Sequence, residues 1–272
     1  MSKKHICKVC KIEKSGKTFT AWDNSFFFLC DECRCATQIL NEKNLVYEEN
    51  YWHEIVDPDG KKRNLLNEKS FKVKNWYGNI INIINKNNKP KSKIIDVGAG
   101  LGHLISEVSD EFEKYAIDIS EYSTNYIKSE YPNIKTYCGK FSKNLFRKNF
   151  FDTIVSYHVI EHLDGPIDFI KDLKYCLKTG GTIIIGTPNR SCLAELIYKG
   201  NFRLYSKQHL IIFTKQKLIQ LLKEHGFKIK KIEFPFFNTR YFTFSNLLKL
   251  LFKNKVSPPF YGSIMTIYAE KI

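Results

Sequence analysis

Two pairs of cysteines near the start of the chain have the spacing of a metal site. The pairs are Cys7 with Cys10 in CKVC and Cys30 with Cys33 in CDEC. A CxxC turn presents two thiolates from one side of the backbone, and two such turns complete a tetrahedral shell for Zn²⁺. Because four protein ligands leave no open coordination position, the spacing predicts a structural zinc ion. A redox-active CxxC and unliganded cysteines are the alternatives, and Cys35 or His5 could replace one ligand.

A glycine-rich stretch, DVGAGLG, follows an apolar run and has the composition of a ligand-binding turn. It extends from Asp96 to Gly102, with Ala99 between Gly98 and Gly100. The glycines permit a tight turn and let the backbone approach a ligand, as in proteins that bind NAD or FAD. Asp96, however, places a carboxylate beneath the turn. A carboxylate there would repel a pyrophosphate and attract a cationic amino group.

A second carboxylate, Asp118 in YAIDIS, ends the next predicted strand, 16 residues after Gly102. A carboxylate at that position typically accepts hydrogen bonds from the two hydroxyls of an adenosine ribose. Because of these two aspartates, a plain dinucleotide-binding site is a less suitable interpretation of the turn.

The stretch HVIEH, His158 to His162, carries the residue types of acid–base chemistry. It follows a predicted strand and therefore lies on the face where open α/β sheets bind ligands. An imidazole there could accept a proton, with Glu161 orienting a ring. The alternative is that Glu161 and His162 only brace the loop. His209, in RLYSKQHL, would reach the same pocket if residues 190–212 form a lid, and a purely structural histidine is the alternative there.

Short β-rich runs alternate with longer segments of helical composition from residue 93 onward. This alternation predicts a parallel sheet with right-handed crossovers. The predicted strands cover 93–98, 114–120, 134–139, 151–157 and 180–188, and two closing runs at 227–235 and 262–272 are expected to pair as an antiparallel edge. The predicted helices cover 69–87, 102–113, 120–130, 165–178 and 214–225, with a surface helix within 238–260.

Composition limits the class of protein. The 43 Lys and Arg residues against 28 Asp and Glu give a formal net charge of +15, which is compatible with a nucleic-acid or anionic-membrane partner. Only six of the basic residues are arginines, although planar recognition of phosphates and bases favours arginine. We therefore do not expect nucleic acid as the main partner.

Without a membrane-length apolar run or a signal-peptide core, the sequence predicts a cytoplasmic protein.

These motifs occur in an order that resembles class I S-adenosylmethionine-dependent methyltransferases. The resemblance is strongest to the branch of ubiquinone-biosynthesis O-methyltransferases and methyltransferases of glycan and natural-product pathways. It covers residues 75–272. The matching stretches are DVGAGLG (96–102), AIDIS (116–120), FDTIVSYHVIEHL (151–163), LKTGGTIIIGTPN (177–189) and HLIIFTKQKLIQLLKEHGF (209–227).

The resemblance implies a fold and a division of the chain. The fold is α/β: a Rossmann-like, mostly parallel seven-stranded sheet with an antiparallel C-terminal edge, plus a small N-terminal zinc-binding module. The expected units are a zinc-ribbon-like module at 1–46, a linker and leading helix at 47–92, and a methyltransferase domain at 93–272. Glycan-pathway relatives often begin with such a ribbon followed by tyrosines, as VYEENYW (46–52) follows here.

The resemblance also implies roles for individual residues. Asp96, Gly98, Ala99, Gly100 and Gly102 would form the turn that holds the methionine part of S-adenosylmethionine. Asp118 would bind the ribose, Ile119 and Phe141 would lie near the adenine, and the backbone of Tyr157 would contact the cofactor. Lys140 stands where relatives carry an acidic residue near the adenine amino group.

The same resemblance implies possible roles for the histidines. In quinone-pathway relatives the residue corresponding to His158 is acidic and, with the Glu-His pair, binds a divalent metal; this chain departs there. HxxEH also spells an inverted zinc-protease motif, which requires a long helix and a third ligand. The methyltransferase context explains the position better. His162 or His158 would then deprotonate the methyl acceptor.

Three functions compete at this point. The leading prediction is methylation of a small metabolite, namely a sugar, nucleotide-sugar or glycan precursor. The second is an RNA methyltransferase with an N-terminal zinc ribbon. RNA enzymes that methylate base amino groups carry an Asn/Asp-Pro-Pro-aromatic turn, whereas this chain has Ser156-Tyr157-His158. The third, a catalytically silent binding subunit, is disfavoured by the intact Asp96 and Asp118.

Overall fold

The computed structural model describes residues 3–39, 49–56, 62–237, 239, 241–249 and 256–272. Four antiparallel strands open the chain, and the turns next to them carry the cysteine pairs. The strands are β1 (Lys3–Ile6), β2 (Glu13–Thr20), β3 (Phe26–Cys30) and β4 (Ala36–Gln38). The predicted module boundary at residue 46 lies outside the described residues.

The segment between the cysteine module and the first glycine turn is mainly helical. It contains α1 (Glu49–His53), the short hairpin β5 (Ile55–Val56) and β6 (Lys62–Arg63), and the helices α2 (Lys69–Lys72) and α3 (Gly78–Asn87), which a π-helical turn at Val73–Tyr77 joins. The helix predicted over 69–87 is thus confirmed. In α3, Ile80, Ile81 and Ile84 recur at helical spacing and are buried against the large sheet.

A seven-stranded sheet forms the centre of the molecule. Its strands are β7 (Lys93–Val97), β8 (Glu113–Asp118), β9 (Lys135–Cys138), β10 (Phe151–Tyr157), β11 (Leu177–Pro188), β13 (Phe227–Glu233) and β14 (Ile264–Lys271). The spatial order is β13-β14-β11-β10-β7-β8-β9. All pairings are parallel except those of β14, which runs antiparallel to both neighbours. The predicted α/β fold is confirmed, and the reversed strand lies one position inside the edge.

Two apolar cores cover the two faces of this sheet, because successive residues of a strand point to opposite sides. In β7, Ile94 belongs to one core and Ile95 to the other. The later helices are α4 (Glu121–Glu130), α5 (Pro166–Cys176), α6 (Leu193–Tyr198), α7 (Lys215–Glu224) and α8 (Phe244–Lys249). Helices α3 and α4 pack on one face, and α5 and α7 on the other.

The helix predicted over 102–113 is wrong. Only a single 3₁₀ turn, Ile105–Glu107, forms there. The apolar residues have helical spacing, but Gly102 adopts a left-handed φ of 71° at the start. At the other end Val108 is extended, and its carbonyl accepts a hydrogen bond from the buried Lys114 ammonium at 3.1 Å. These contacts end the turn before a helix can propagate.

The N-terminal sheet continues into the second half of the chain. Strand β12 (Ile211–Ile212) pairs antiparallel with β4, so that five strands form one sheet in the order β1-β2-β3-β4-β12. The backbone N–H of Gln38 donates to the carbonyl of Leu210 at 2.8 Å. The segment just before β12, which contains His209, is therefore held by the cysteine module.

Within the predicted surface helix at 238–260, α8 is formed, while residues 238, 240 and 250–255 lie outside the described residues. None of the helices in the described part of the chain has the length and apolar character of a membrane span.

Candidate active site

A cavity of about 1260 Å³ opens at the carboxyl ends of β7, β8 and β10. Ligands in open α/β sheets bind at this edge, where the strand order reverses between neighbouring crossovers. The cavity is lined by the glycine turn after β7, by Asp118 at the end of β8, by His158 and His162 after β10, and by His209. One cavity thus brings together the predicted cofactor residues, apart from Gly102, and the three predicted histidines; Glu161 does not line it.

The glycine turn has a backbone that other residues would not tolerate. Gly98 has φ of 73°, and a Cβ on it would lie 2.3 Å from Cγ2 of Val159. Gly100 also has a positive φ, and a Cβ there would lie 3.2 Å from the ring of Trp52. Gly102 does not line the cavity; it packs against Ile127 of α4. The first two glycines shape the floor of the cavity, and the third shapes the core behind it.

Asp118 holds the glycine turn together while remaining at the cavity. Its carboxylate accepts hydrogen bonds from the backbone N–H groups of Gly100 at 2.8 Å and Ser120 at 2.9 Å. Burial raises the pKa of Asp118, and these hydrogen bonds oppose the rise. The arrangement suits a carboxylate that accepts ligand hydroxyls, because the charged form is already supported by fixed donors.

Asp96 lies at the end of β7 and is 3 % exposed. Burial, and then the nearby negative charge of Asp118, raise its pKa to about 7. A buried carboxylate without a cationic partner is costly to ionise. A ligand ammonium would relieve this cost, so the position fits the amino group of the methionine moiety.

The remaining predicted cofactor residues also line the cavity: Ala99, Ile119, Phe141 and Tyr157. The Ile119 side chain is 52 % exposed and offers an apolar surface to a ring. Phe141 packs edge-on against Phe169, with ring centroids 6.2 Å apart. Lys140 is also at the cavity wall. This part of the cavity offers apolar surface to a planar base. Residue 140, a lysine, supplies no acidic partner for it.

Glu161 is fully buried and binds two side chains. Oε1 lies 2.8 Å from Nδ1 of His158, and Oε2 accepts a hydrogen bond from Oγ1 of Thr187 at 2.9 Å. Burial opposes ionisation of Glu161, but the His158 hydrogen bond and the nearby histidines outweigh it and lower the pKa to about 2. His158 itself has φ of 59°, which turns it out of the strand toward the cavity. The carboxylate thus fixes the orientation and tautomer of this ring.

His162 and His209 face each other, with ring centroids 5.1 Å apart. Nδ1–H of His162 donates to the carbonyl of Gln208 at 2.6 Å, and Nδ1–H of His209 donates to that of Leu204 at 2.7 Å. Each Nε2 is therefore left as an acceptor. Burial, and then His162, lower the pKa of His209 to about 4. Glu161, His162 and His209 each place one donor atom within 4.8 Å of the others, a spacing that also suits a divalent cation.

Several cavity residues belong to no motif and were not predicted from the sequence. The segment 49–77 contributes Trp52, Arg63, Lys72 and Trp76, and the cysteine module contributes Trp22 and Asp23. Asp23 accepts a hydrogen bond from the backbone N–H of Lys207, and Trp22 Nε1–H donates to the carbonyl of Arg203. Only the aromatic richness of these segments could have indicated them.

The two cysteine pairs of the N-terminal module converge on one another. The sulfurs of Cys7, Cys10, Cys30 and Cys33 lie within 4.8 Å of one another. The Sγ atoms of Cys7 and Cys33 are 3.6 Å apart, close to the roughly 3.8 Å that tetrahedral Zn–S bonds of about 2.3 Å require. Desolvation and the neighbouring thiols raise the pKa of Cys10 to about 12. Four sulfurs at this spacing fit a tetrahedral zinc ion.

The comparison with known proteins agrees with this geometry. Residues 74–232 match a family described as a methyltransferase domain. A ubiquinone biosynthesis O-methyltransferase from Pelagibacter ubique is 27 % identical over 222 residues, which cover 73 % of this chain and 89 % of that protein. A probable S-adenosylmethionine-dependent methyltransferase from Mycolicibacterium smegmatis is 22 % identical over 138 residues, covering 50 % and 52 % of the two chains.

A crystal structure of a SAM-dependent methyltransferase from Aquifex aeolicus shares the fold, with a TM-score of 0.51 and 16 % identity, over 76 % of this chain and 95 % of that one. The chain spans about half the length of some curated relatives that it matches. This chain belongs to the methyltransferase-domain family, as a class I S-adenosylmethionine-dependent enzyme. Its cofactor is S-adenosylmethionine.

Proposed function

We propose that this enzyme methylates a small polar metabolite of the sugar, nucleotide-sugar or glycan-precursor class. The observation that carries the proposal is the set of side chains that line the cavity. Residues of the loop 203–210, together with Trp22 and Asp23, line the same cavity as the glycine turn. Aromatic faces next to carboxylates and an amide are typical of sites that bind carbohydrates through both apolar and polar faces.

The charge of the cavity lining also supports a small acceptor rather than a nucleic acid. Among the described residues that line it, five basic side chains stand against six aspartates. The chain as a whole carries +15. The excess of basic residues therefore lies away from the cavity. A polyanion would need a basic path into the site.

The cofactor half of the site is assigned as follows. The Gly98–Gly100 turn and Asp96 would hold the methionine part, Asp118 the ribose, and Ile119 and Phe141 the adenine. When bound, S-adenosylmethionine supplies an electrophilic methyl group on a sulfonium. Displacement at that carbon mainly requires alignment of the acceptor, which the residues lining the cavity would provide.

His158 is the proton acceptor that we propose. Glu161 accepts the Nδ1–H of this ring at 2.8 Å and so leaves Nε2 unprotonated toward the cavity. His158 Nε2 would accept the proton that the acceptor atom loses when the methyl group leaves the sulfonium sulfur and bonds to that atom. The resulting imidazolium is stabilised by the buried Glu161 carboxylate. His209 is a weaker base because its pKa is about 4.

The His158→Gln variant tests this assignment. We expect kcat to fall about 10²- to 10⁴-fold, the range of general-base contributions. The affinity for S-adenosylhomocysteine, measured by calorimetry, should change less than about twofold because the adenosine site is untouched. His225→Gln is the matched control: His225 caps α7 through the carbonyl of Leu221 and does not line the cavity. Full activity in His158→Gln would overturn the role of this residue.

The acceptor class is tested separately. The purified enzyme is incubated with methyl-labelled S-adenosylmethionine and three pools: nucleotide-activated sugars, free and phosphorylated sugars, and total RNA. We expect label only in a sugar pool. Label in RNA alone would replace the proposal with the RNA methyltransferase reading. Binding of S-adenosylmethionine without transfer to any pool, in the presence of all three, would favour the silent subunit.

A further inference from the structure

Nearly half of the exposed large apolar side chains lie around α8. Of the 17 such side chains in the described part of the chain, eight are on α6, on α8 and in the loops next to them. They are Leu193, Leu196, Phe237, Phe242, Phe244, Leu247, Leu248 and Tyr261, and we call this set the apolar patch. Single exposed apolar side chains are ordinary, whereas a contiguous patch marks a surface that binds a partner or a membrane.

Helix α8 presents its apolar side to solvent. Phe244, Leu247 and Leu248 have the i, i+3, i+4 spacing of one helix face. In an ordinary surface helix that face is buried, but no residue of α8 is buried, and Phe244 is 75 % exposed. The sequence therefore forms an amphipathic turn of helix whose apolar face the described part of the chain leaves uncovered.

Direct contacts join the members of the apolar patch. The centroid of the Phe237 ring lies 5.1 Å from that of Phe242 and 5.2 Å from that of Tyr261. The Tyr198 hydroxyl at the end of α6 donates a hydrogen bond to the carbonyl of Lys249 at the end of α8. The two exposed leucines of α6 are thereby held beside α8, and the patch extends over both helices.

The charge around the apolar patch is positive. Residues 234–269 contain four basic residues and no acidic one. Lys199 directly follows α6, and Glu195, the acidic residue of that helix, forms an ion pair with Arg190 at 2.9 Å. Lysine is depleted at protein–protein interfaces, but it is enriched on the polar side of helices that lie in a membrane surface. Apolar side chains flanked by lysines are thus complementary to an anionic lipid surface.

The apolar patch borders the cavity of the candidate active site. The buried Phe236 lines the cavity, and its ring centroid lies 5.5 Å from that of Phe237 and 5.6 Å from that of Phe242. Phe260 also lines the cavity and directly precedes Tyr261. A surface that contacts the patch would therefore be separated from the cavity by a single aromatic side chain.

We propose that the apolar patch binds the surface of an anionic phospholipid membrane. The apolar side chains of α6 and α8 would insert at the level of the headgroups, and the surrounding lysines would lie against the lipid phosphates. The protein would then lie on the bilayer with the 235–241 segment between the lipid and the cavity. The inference concerns a surface outside the cofactor residues and does not depend on the proposed acceptor.

Sedimentation of the full chain with lipid vesicles tests this binding. Vesicles of phosphatidylcholine alone are compared with vesicles of equal parts phosphatidylcholine and phosphatidylglycerol. We expect the wild type to bind the anionic vesicles at least about tenfold more tightly, and this affinity to fall as salt screens the surface charges. Lys249→Gln should weaken the binding about fivefold, the effect of one lysine near an anionic surface.

Phe244→Asp tests the apolar part of the interaction. It removes an inserted ring and adds a carboxylate that the lipid phosphates repel, so we expect at least about tenfold weaker binding to the anionic vesicles. Phe244→Leu retains an apolar side chain and should keep most of the affinity. Thermal unfolding of both variants should match that of the wild type, because residue 244 is exposed and an exposed substitution has little effect on stability.

Leu145→Asp is the matched control. Leu145 is 47 % exposed, lies between Lys143 and Arg147 in the sequence, and belongs neither to the apolar patch nor to the cavity lining. The substitution makes the same change of charge as Phe244→Asp in another basic stretch. We expect its affinity for the anionic vesicles to stay within about twofold of the wild type, because the site is independent of the patch.

Two results would overturn the inference directly: no binding of the wild type to the anionic vesicles, or equal weakening by Phe244→Asp and Leu145→Asp. Equal weakening would show that the attraction depends only on net charge. A dimer that Phe244→Asp abolishes, seen by sedimentation velocity in the absence of any vesicle binding, would assign the apolar patch to a second copy of the chain instead.

Discussion

Asp96 determines the pH range in which the end of the cavity that we propose for the methionine part is negatively charged. Its pKa of about 7 arises from burial and from Asp118. A cationic ammonium binds the ionised form, so binding releases a proton below pH 7. The ionised fraction rises from about one-tenth at pH 6 to about nine-tenths at pH 8, so we expect S-adenosylhomocysteine to bind about tenfold more tightly at pH 8. Calorimetry in buffers of differing ionisation enthalpy measures the affinity and the released proton.

The raised pKa of Asp96 also affects the stability of the unliganded enzyme, and this stability changes with pH in the opposite direction to the ligand affinity. Because the folded-state pKa of Asp96 exceeds the ordinary value of 3.8, its contribution to stability is present below pH 4 and is lost as pH rises through about 7. Asp96→Asn should remove this loss and flatten the binding profile at a weaker affinity. A pH-dependence that persists in Asp96→Asn would assign the titration to another group.

At the scale of single residues, the sequence identified those site residues that lie in contiguous motifs. Asp96 and Asp118 could be found because they lie at the ends of β7 and β8, and His158 because it directly follows β10; strand ends meet at one edge of a parallel sheet. Arg63, Lys72 and Trp76, which line the same cavity, could not, because they belong to no motif and only the folding of the segment 62–77 brings them there. The sequence predicted that Glu161 orients a histidine ring, and His158 lies three residues before it. It did not predict the backbone carbonyls that hold His162 and His209.

At the scale of elements, the cysteine module and the part of the cavity wall that carries His209 form one structural unit. Strand β4 pairs with β12, and the carbonyl of Cys33 accepts a hydrogen bond from Thr214, the N-cap of α7. His209 lies two residues before β12. A metal that fixes Cys30 and Cys33 would therefore also fix the backbone on which His209 and Gln208 lie.

Loss of one metal ligand tests this coupling. In Cys30→Ser we expect the zinc content to fall from one ion per chain to nearly none. The free energy of unfolding should fall by at least about 3 kcal/mol, a part of the roughly 10 kcal/mol that structural zinc contributes in small domains. We also expect kcat to fall while S-adenosylhomocysteine affinity changes less than about threefold, since the seven-stranded sheet carries the cofactor residues.

Cys138→Ser is the control for this experiment, because Cys138 is exposed on β9 and lies outside the sulfur cluster. Metal content, determined by atomic spectroscopy, and thermal unfolding are measured on both variants. If Cys30→Ser retains a full equivalent of zinc, or if cofactor affinity collapses together with kcat, the module does not act on the acceptor side alone.

The secondary-structure elements also show where local sequence patterns fail to predict the structure. The strands and most helices were predictable because their apolar periodicity agrees with the two-sided burial of a parallel sheet. The stretch 102–113 has the same periodicity, yet Gly102 and the Lys114–Val108 contact override it. The pairing of β12 with β4 joins residues more than 170 positions apart. A two-residue strand of that kind has no signal of its own in the sequence.

At the scale of the whole molecule, the net charge of +15 and the mixed charge of the cavity lead to a specific expectation about nucleic acids. A basic surface attracts RNA by counterion release, without sequence preference and with dissociation constants of about 10⁻⁶ to 10⁻⁴ M at physiological salt. We expect RNA to bind the enzyme in this weak range in filter-binding assays, and the affinity to fall steeply between 50 and 200 mM salt.

Binding of that kind should leave the cavity accessible. S-adenosylhomocysteine affinity should be unchanged by saturating RNA, and methyl transfer to a small acceptor should vary less than about twofold over the same salt range, because buried charges are screened little by salt. Charge-reversal of surface lysines distant from the cavity, such as Lys223→Glu on α7, should weaken RNA binding without affecting transfer. RNA that competes with the small acceptor, or whose binding depends on Lys140 or Lys207 at the cavity wall, would place the polyanion in the active site and restore the RNA methyltransferase interpretation.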